Sequence, residues 1–200
     1  ITGDTFVSAP TPSTAPPFPS LDTSYYDDLM SQAWSVLPGD YVQNSGTLNL
    51  AGGVLLVNGL VRLGGTTDVL AVQGPGAIVC TGTAEVKGNA TVSGHARIIC
   101  RWDLTVSGNA GLDAGCLLYT YDDVLIKTKD VVQADVVAGD WVKVEASSTV
   151  DGLVYLGTTA TIQGVVNGAV YTQGQIVIDG GTVTYAEANI GRSIPGLSLR

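Results

Sequence analysis

Residues 78–109 read IVCTGTAEVKGNATVSGHARIICRWDLTVSGN, and within them the chain nearly repeats itself. Ile78-Val79-Cys80 returns as Ile98-Ile99-Cys100, Ala84-Glu85-Val86 as Leu104-Thr105-Val106, and Gly88-Asn89 as Gly108-Asn109, always at the same interval. That interval is 20 positions from Ile78 to Ile98, from Ala84 to Leu104 and from Gly88 to Gly108. A fixed period of this length marks a repeat architecture in which each unit buries its apolar face only against its neighbours. The register runs on beyond the quoted stretch. Leu118-Tyr119-Thr120 follows Ile98-Ile99-Cys100 at the same interval, whereas Val136-Val137-Ala138 and Val154-Tyr155-Leu156 are only 18 apart.

Runs of three to five apolar and β-branched residues, broken by Gly and Asn, are too short for a sandwich. No helices separate them, which excludes a βαβ fold. Three short strands and three turns account for one period. Stacked coils then pair every strand in parallel with its equivalent at ~4.8 Å per rung. Alternate side chains point inward, and Gly or Asn takes the corners that demand positive φ. The expected fold is all-β: a single-chain parallel β-solenoid of about 18–20 residues per coil, right-handed by the crossover rule, with one short helix near the N-terminus.

Composition agrees. Of 200 residues 45% are hydrophobic, only 14% are charged, and 26 are Gly; mean hydropathy is +0.30. A disordered chain would be more charged and poorer in Val, Ile and Leu. Net charge is −9 and the pI is near 4.2. Nine scattered Lys and Arg cannot supply the basic track that a phosphate backbone rewards, so nucleic acid is excluded as a partner. No apolar run reaches the length of a membrane span.

Residues 1–22 hold five of the eight prolines and read as an extended linker. Residues 23–37 read as the helix: Asp22, Thr23 or Ser24 can cap it, Asp27 and Asp28 suit its first turn, and Tyr26, Met30, Ala33 and Trp34 form one apolar face. Pro38-Gly39 stops it. Exposed strand edges at the ends of a solenoid need covering, which assigns this helix to one end of a solenoid over 38–190. The C-terminal tail, 191–200 with the irregular residues before it, is assigned to the other.

The chemistry is sparse. Asp103 and Asp123 lie one coil apart, and Asp122 and Asp140 are 18 apart. Carboxylates on neighbouring rungs would sit about 5 Å apart, the spacing of a retaining glycosidase pair or of a calcium site. Each Asp also fits a plain turn-supporting role. Arg101 is the basic residue best placed beside them, ahead of Arg97 and Lys127. His95 is the sole histidine, reads as a turn residue, and cannot make a multi-histidine metal site. No GxSxG, phosphate-binding, dinucleotide or calcium-loop motif occurs. Cys80, Cys100 and Cys116 are an odd count without metal spacing. Cys80 and Cys100 fall at one repeat position, close enough for a disulfide but better read as a buried ladder of small residues. The threonines of CTGT at 80–83 and TTAT at 158–161 make no regular ladder and read as exposed strand residues. Trp102, Tyr119, Tyr121, Trp141, Tyr155, Tyr171 and Tyr185 could line a sugar-binding stripe, or pack at corners and core ends. The residues therefore imply a non-enzymatic structural or display element with no cofactor and no metal.

The stretches LTVSGNA at 104–110, DGLVYLGTTATIQG at 151–164 and GTVTYAEANI at 181–190 resemble the ectodomains of PilX-like proteins, pilin-like components of bacterial type IV pili and related secretion systems. The opening ITGDTFVSAP and the segment LDTSYYDDLMSQA resemble the linker and helix before their coils. The resemblance implies a bacterial cell-surface location and a hydrophobic N-terminal pilin helix preceding Ile1 as the one membrane contact. It implies other filament subunits or surface proteins as partners, with glycans a further candidate, and it brings no catalytic residues. A weaker resemblance is to bactofilin, whose rods polymerise end to end. A third class, a polysaccharide-active solenoid enzyme, would use the Asp103/Asp123 or Asp122/Asp140 pair.

Overall fold

The structure, a computed structural model, describes residues 20–21, 23–186 and 197–198. It is a parallel β-solenoid. Each coil lays strands on three faces. The first face begins with Ser35–Pro38, Val54–Asn58, Gly76–Cys80 and Ala96–Cys100. The second is a separate 8-stranded sheet running from Tyr41–Gln43 to Gln175–Ile178. The third begins with Gly46–Asn49, Val69–Gln73 and Asn89–Ser93.

Register follows the repeat. Ile78 pairs with Ile98, and Ile98 with Leu118; Leu104 pairs with Ala84 and with Val124. Along Ala96–Cys100, Ala96, Ile98 and Cys100 point into the core, while Arg97 and Ile99 point out. The inward residues form a continuous column: Ile78, Ile98, Leu118, Val136 and Val154 are each at most 1% exposed. Every fully buried aliphatic side chain of this kind stabilises by roughly 1.5–3 kcal/mol before chain entropy is counted.

The coil length is less uniform than the sequence implies. Leu55 pairs with Ile78 at an offset of 23, and Val154 pairs with Val170 at an offset of 16. The shortening happens at corners. Leu112 pairs with Val132 at an offset of 20, but Cys116 pairs with Ala134 at 18, so the coil contracts between the third and first faces. That corner then disappears: Gly111–Thr120, Val131–Ala138, Thr149–Leu156 and Val165–Thr172 each run through both faces as one strand. The next contraction falls between the second and third faces, since Val144 pairs with Ile162 at 18 and Thr149 with Val165 at 16. Strand pairing fixes the registers within a face, so length can change only where no ladder is made.

Buried polar atoms inside the corners are satisfied. Thr128 Oγ1 donates to Ala110 O at 2.7 Å, and Ser148 Oγ donates to Thr128 O at 3.0 Å, one coil further on. Glycine is required where rungs touch. Gly88 has φ +64°, and a Cβ there would fall on the carbonyl of Gly65 in the rung before it. The three cysteines are free thiols and buried. Cys80 does stack on Cys100, and the neighbouring thiol together with burial pushes the Cys80 thiol well up. His95 is a turn residue with φ +61°.

The helix corrects an expectation. It spans Ser24–Ser31, shorter than 23–37, because Ser35–Pro38 is already the first strand of the solenoid. It also packs on the flank and does not close an end. Tyr26 (0% exposed) and Leu29 (6%) join Val54, Ala77, Val79, Ile99 and Tyr119 in a second apolar cluster on the outer side of the first face. The reason is on the strands. The outward positions of this face are apolar, at Val79, Ile99, Tyr119, Val137 and Tyr155, and covering them with Tyr26 and Leu29 takes that apolar surface out of water. Trp34, expected on the helix's apolar face, is 65% exposed. Ser20–Leu21 pairs antiparallel with Leu197–Ser198. The proline-rich stretch 1–19 and the expected C-terminal cover over 187–196 and 199–200 lie outside the described residues. Among the described residues no helix is long and apolar enough to cross a membrane.

Candidate functional site

The corner between the first and second faces collects the chain's unusual chemistry. Three consecutive coils contribute Arg101-Trp102-Asp103, Tyr121-Asp122-Asp123 and Gly139-Asp140-Trp141. Their backbones are tied rung to rung. Leu104 N–H donates to Asp123 O at 2.8 Å, Asp140 N–H to Asp122 O at 3.1 Å, and Val124 N–H to Trp141 O at 2.9 Å. The repeat register thus lays Asp103 beside Asp123, as the sequence spacing implies.

Carboxylate oxygens of Asp103, Asp122 and Asp123 all lie within 4.8 Å of one another. Asp140 stands apart from this trio: its carboxylate accepts a hydrogen bond from the Thr158 hydroxyl on the following coil. Asp123 Oδ1 accepts the Trp141 N–H at 3.2 Å. The Asp123 carboxyl is nevertheless raised above the usual carboxylate range, first by partial burial and then by the charges of Asp122, Asp140 and Asp103, which together outweigh the Trp141 hydrogen bond. Three oxygens at this spacing can ligate a hard divalent cation, which would complete its shell with water. The same spacing suits a carboxyl pair in which one member holds its proton longer than the other. Asp103 is exposed, and Asp122 and Asp123 are half-buried.

Beside the trio, helix and corner enclose a cleft of about 400 Å³ lined by Asp27, Met30, Arg101, Trp102, Tyr121 and Asp122. Tyr121 closes one wall. Its hydroxyl donates to Asp27 Oδ1 at 3.1 Å, and its ring meets Tyr119 edge to face at 5.0 Å. Tyr119 in turn stacks on Tyr26, with centroids 3.5 Å apart and planes 14° from parallel. Burial lifts both Tyr26 and Tyr119 phenols far above their ordinary range. Tyr121 is pushed up to about 12, by burial and by Asp27.

Sequence reasoning locates Arg101, Trp102, Tyr121 and the four aspartates but not the cleft. Asp27 reads as a helix-dipole residue, and it meets Tyr121 across 94 positions of sequence, a contact without local signal. The aromatic stripe does not form as a continuous surface. Tyr119 and Tyr155 are buried on the outer side of the first face, whereas Trp102 is 53% exposed. Arg97 also lies away from the corner, its guanidinium hydrogen-bonded to the Tyr25 hydroxyl.

Compared with family models, with curated proteins and with solved structures, the chain finds no significant match in any of the three.

Proposed function

We propose that this solenoid is a non-enzymatic structural and display domain of a pilin-like protein, exposed at a bacterial cell surface and associated with a type IV pilus or secretion filament. The observation that carries the reading is the helix on the flank. A rod whose N-terminal helix clads the first face leaves the second and third faces uncovered among the described residues, available to filament subunits or surface proteins. The antiparallel pair of Ser20–Leu21 with Leu197–Ser198 supports it, because the segments on either side of the rod then meet at one point from which the rod can hang. The test is protease treatment of intact cells carrying the native protein, read by immunoblot. Digestion without lysis is the expected result; protection until lysis overturns the surface reading.

A bactofilin-like scaffold is the second reading, and one observation favours it. Ile176 and Ile178 sit in register with the buried Ala160 and Ile162, on the last strand of the second face, yet are 44% and 55% exposed. A polymer joined there would dissociate when Ile176→Lys and Ile178→Lys are combined, as read by sedimentation. A polysaccharide-active enzyme is the third reading, and it draws on the carboxylate trio. Separate Asp103→Asn and Asp123→Asn changes would each abolish turnover of any glycan found to be a substrate; unchanged turnover in both removes that reading.

A further inference from the structure

The cleft between the helix and the solenoid corner has a composition that neither a structural wall nor a buried core requires. An indole half in water is an unusual surface element, since large exposed apolar groups are the informative exceptions on a folded surface. Trp102 is 53% exposed, yet its main chain is firmly held. Its N–H donates to Gly82 O at 3.3 Å, and its carbonyl accepts from Cys100 Sγ at 2.9 Å and from the Thr120 hydroxyl. Arg101 N–H donates to Cys80 O at 3.2 Å, and Asp122 N–H to Thr120 Oγ1 at 3.1 Å. Tyr121 is held by Asp27 and Tyr119. The side chains of the cleft therefore project from a backbone that the rungs have already ordered, which lowers the entropy lost when a ligand binds.

The lining mixes an indole face, a phenol, two carboxylates and one guanidinium in about 400 Å³, within the range of small-molecule sites. A hydrophobic ligand would take the Asp122 carboxylate, and the Asp27 oxygen that Tyr121 does not reach, out of water without offering a donor in exchange. A simple anion would meet two negative charges against one positive. A sugar satisfies the whole set. Its hydroxyls donate to Asp27 and Asp122 and accept from Arg101, while a ring face carrying only C–H groups lies against the Trp102 indole.

We infer that this cleft binds a neutral saccharide unit, one or two rings long, with Trp102 as the stacking platform and Asp27, Asp122 and Arg101 as the hydroxyl-reading groups. The inference is independent of the display reading, and failure of either leaves the other standing. The unit can be a free sugar or the terminus of a longer glycan, since the chemistry is shared.

The experiment is saturation-transfer NMR on the full chain with lactose, cellobiose and N,N′-diacetylchitobiose as probes, followed by calorimetry on any that bind. Beads carrying the same sugars through their reducing ends separate a glycan terminus, which the beads capture, from a free sugar, which they do not. At least one probe is expected to bind. Trp102→Ala is expected to weaken it at least tenfold, and Asp122→Asn several-fold, with thermal melting checking that each variant stays folded. Asp122→Asn leaves the main-chain bonds intact and serves as the second test if Trp102→Ala melts early. Binding that neither substitution weakens overturns the inference, as does silence from all three probes. Tetramethylammonium or Ca²⁺ perturbing the cleft while the sugars do not would also overturn it, by showing a cation site instead.

Discussion

Replacing Tyr26 with Ala should detach the helix from the rod without melting the rod. Tyr26 is 0% exposed and lies flat on Tyr119, with centroids 3.5 Å apart. Truncating a buried aromatic costs about 3–5 kcal/mol, of which the aromatic pair itself accounts for roughly 0.5–1.5 kcal/mol. The helix has 8 residues, and helices shorter than about 12–15 residues are marginal on their own in water. Its order thus comes from docking, chiefly through Tyr26 and Leu29. Losing ~3 kcal/mol from that contact leaves little to hold it. The solenoid core of inward Ile, Leu and Val residues is a separate cluster and loses nothing directly. Hydrogen exchange read by mass spectrometry should show amides of Ser24–Ser31 exchanging near their intrinsic rates, while Leu104–Gly108 and Val124–Thr128 stay protected. The Tyr119 phenol should titrate closer to its ordinary value once its neighbour is gone. Tyr26→Phe keeps the ring and should keep the helix docked. Retained helix protection in Tyr26→Ala would refute the reasoning. So would loss of protection confined to Ser35–Pro38 and Tyr41–Gln43, the signature of an end cap.

Alkali should destabilise the protein. Tyr26 and Tyr119 have folded pKa values raised above the unfolded value near 10. Above that pH the unfolded chain binds fewer protons than the native one, and stability falls as pH rises, by up to ~1.4 kcal/mol per pH unit for each such group. Denaturant melts between pH 8 and 11.5 should show this, and Tyr119→Phe should flatten the slope. Asp123 carries the related consequence at neutral pH: its raised carboxyl ionises against partial burial first and then against the charges of Asp122, Asp140 and Asp103. Asp123→Asn should therefore raise Tm slightly at pH 7, with the gain vanishing near pH 3. Gly88→Ala should cost at least ~1–2 kcal/mol from the left-handed backbone alone, and more from collision with the Gly65 carbonyl. Denaturant midpoints check this, and an unchanged midpoint would contradict the register described for that corner. Finally, Cys80, Cys100 and Cys116 are each at most 2% exposed, so a thiol reagent should titrate none of them in the native protein and all three in guanidinium.

The solenoid is legible in the sequence because its information is periodic. Each strand pairs with its own equivalent, so Ile78, Ile98 and Leu118 announce the register directly, and the spacing of Asp103 and Asp123 announces their contact. Changes of coil length are only partly legible. They fall at corners, where no ladder enforces a pattern, and the contraction to an offset of 16 leaves the strand motifs unchanged. The position of the helix is not legible at all. Its apolar face says that it must be buried against something, but an open rod end and an apolar flank satisfy that equally. The choice depends on Val79, Ile99 and Tyr119 facing outward together, which is a property of stacked coils and not of any segment. The cleft follows from the same cause. By itself the sequence determined the repeat, the core and the acidic corner, because those contacts recur at a fixed interval along the chain. Only the tertiary structure decided where the helix lies and so brought Asp27 to Tyr121, because that contact joins a unique segment to a repeated one and no periodicity encodes it.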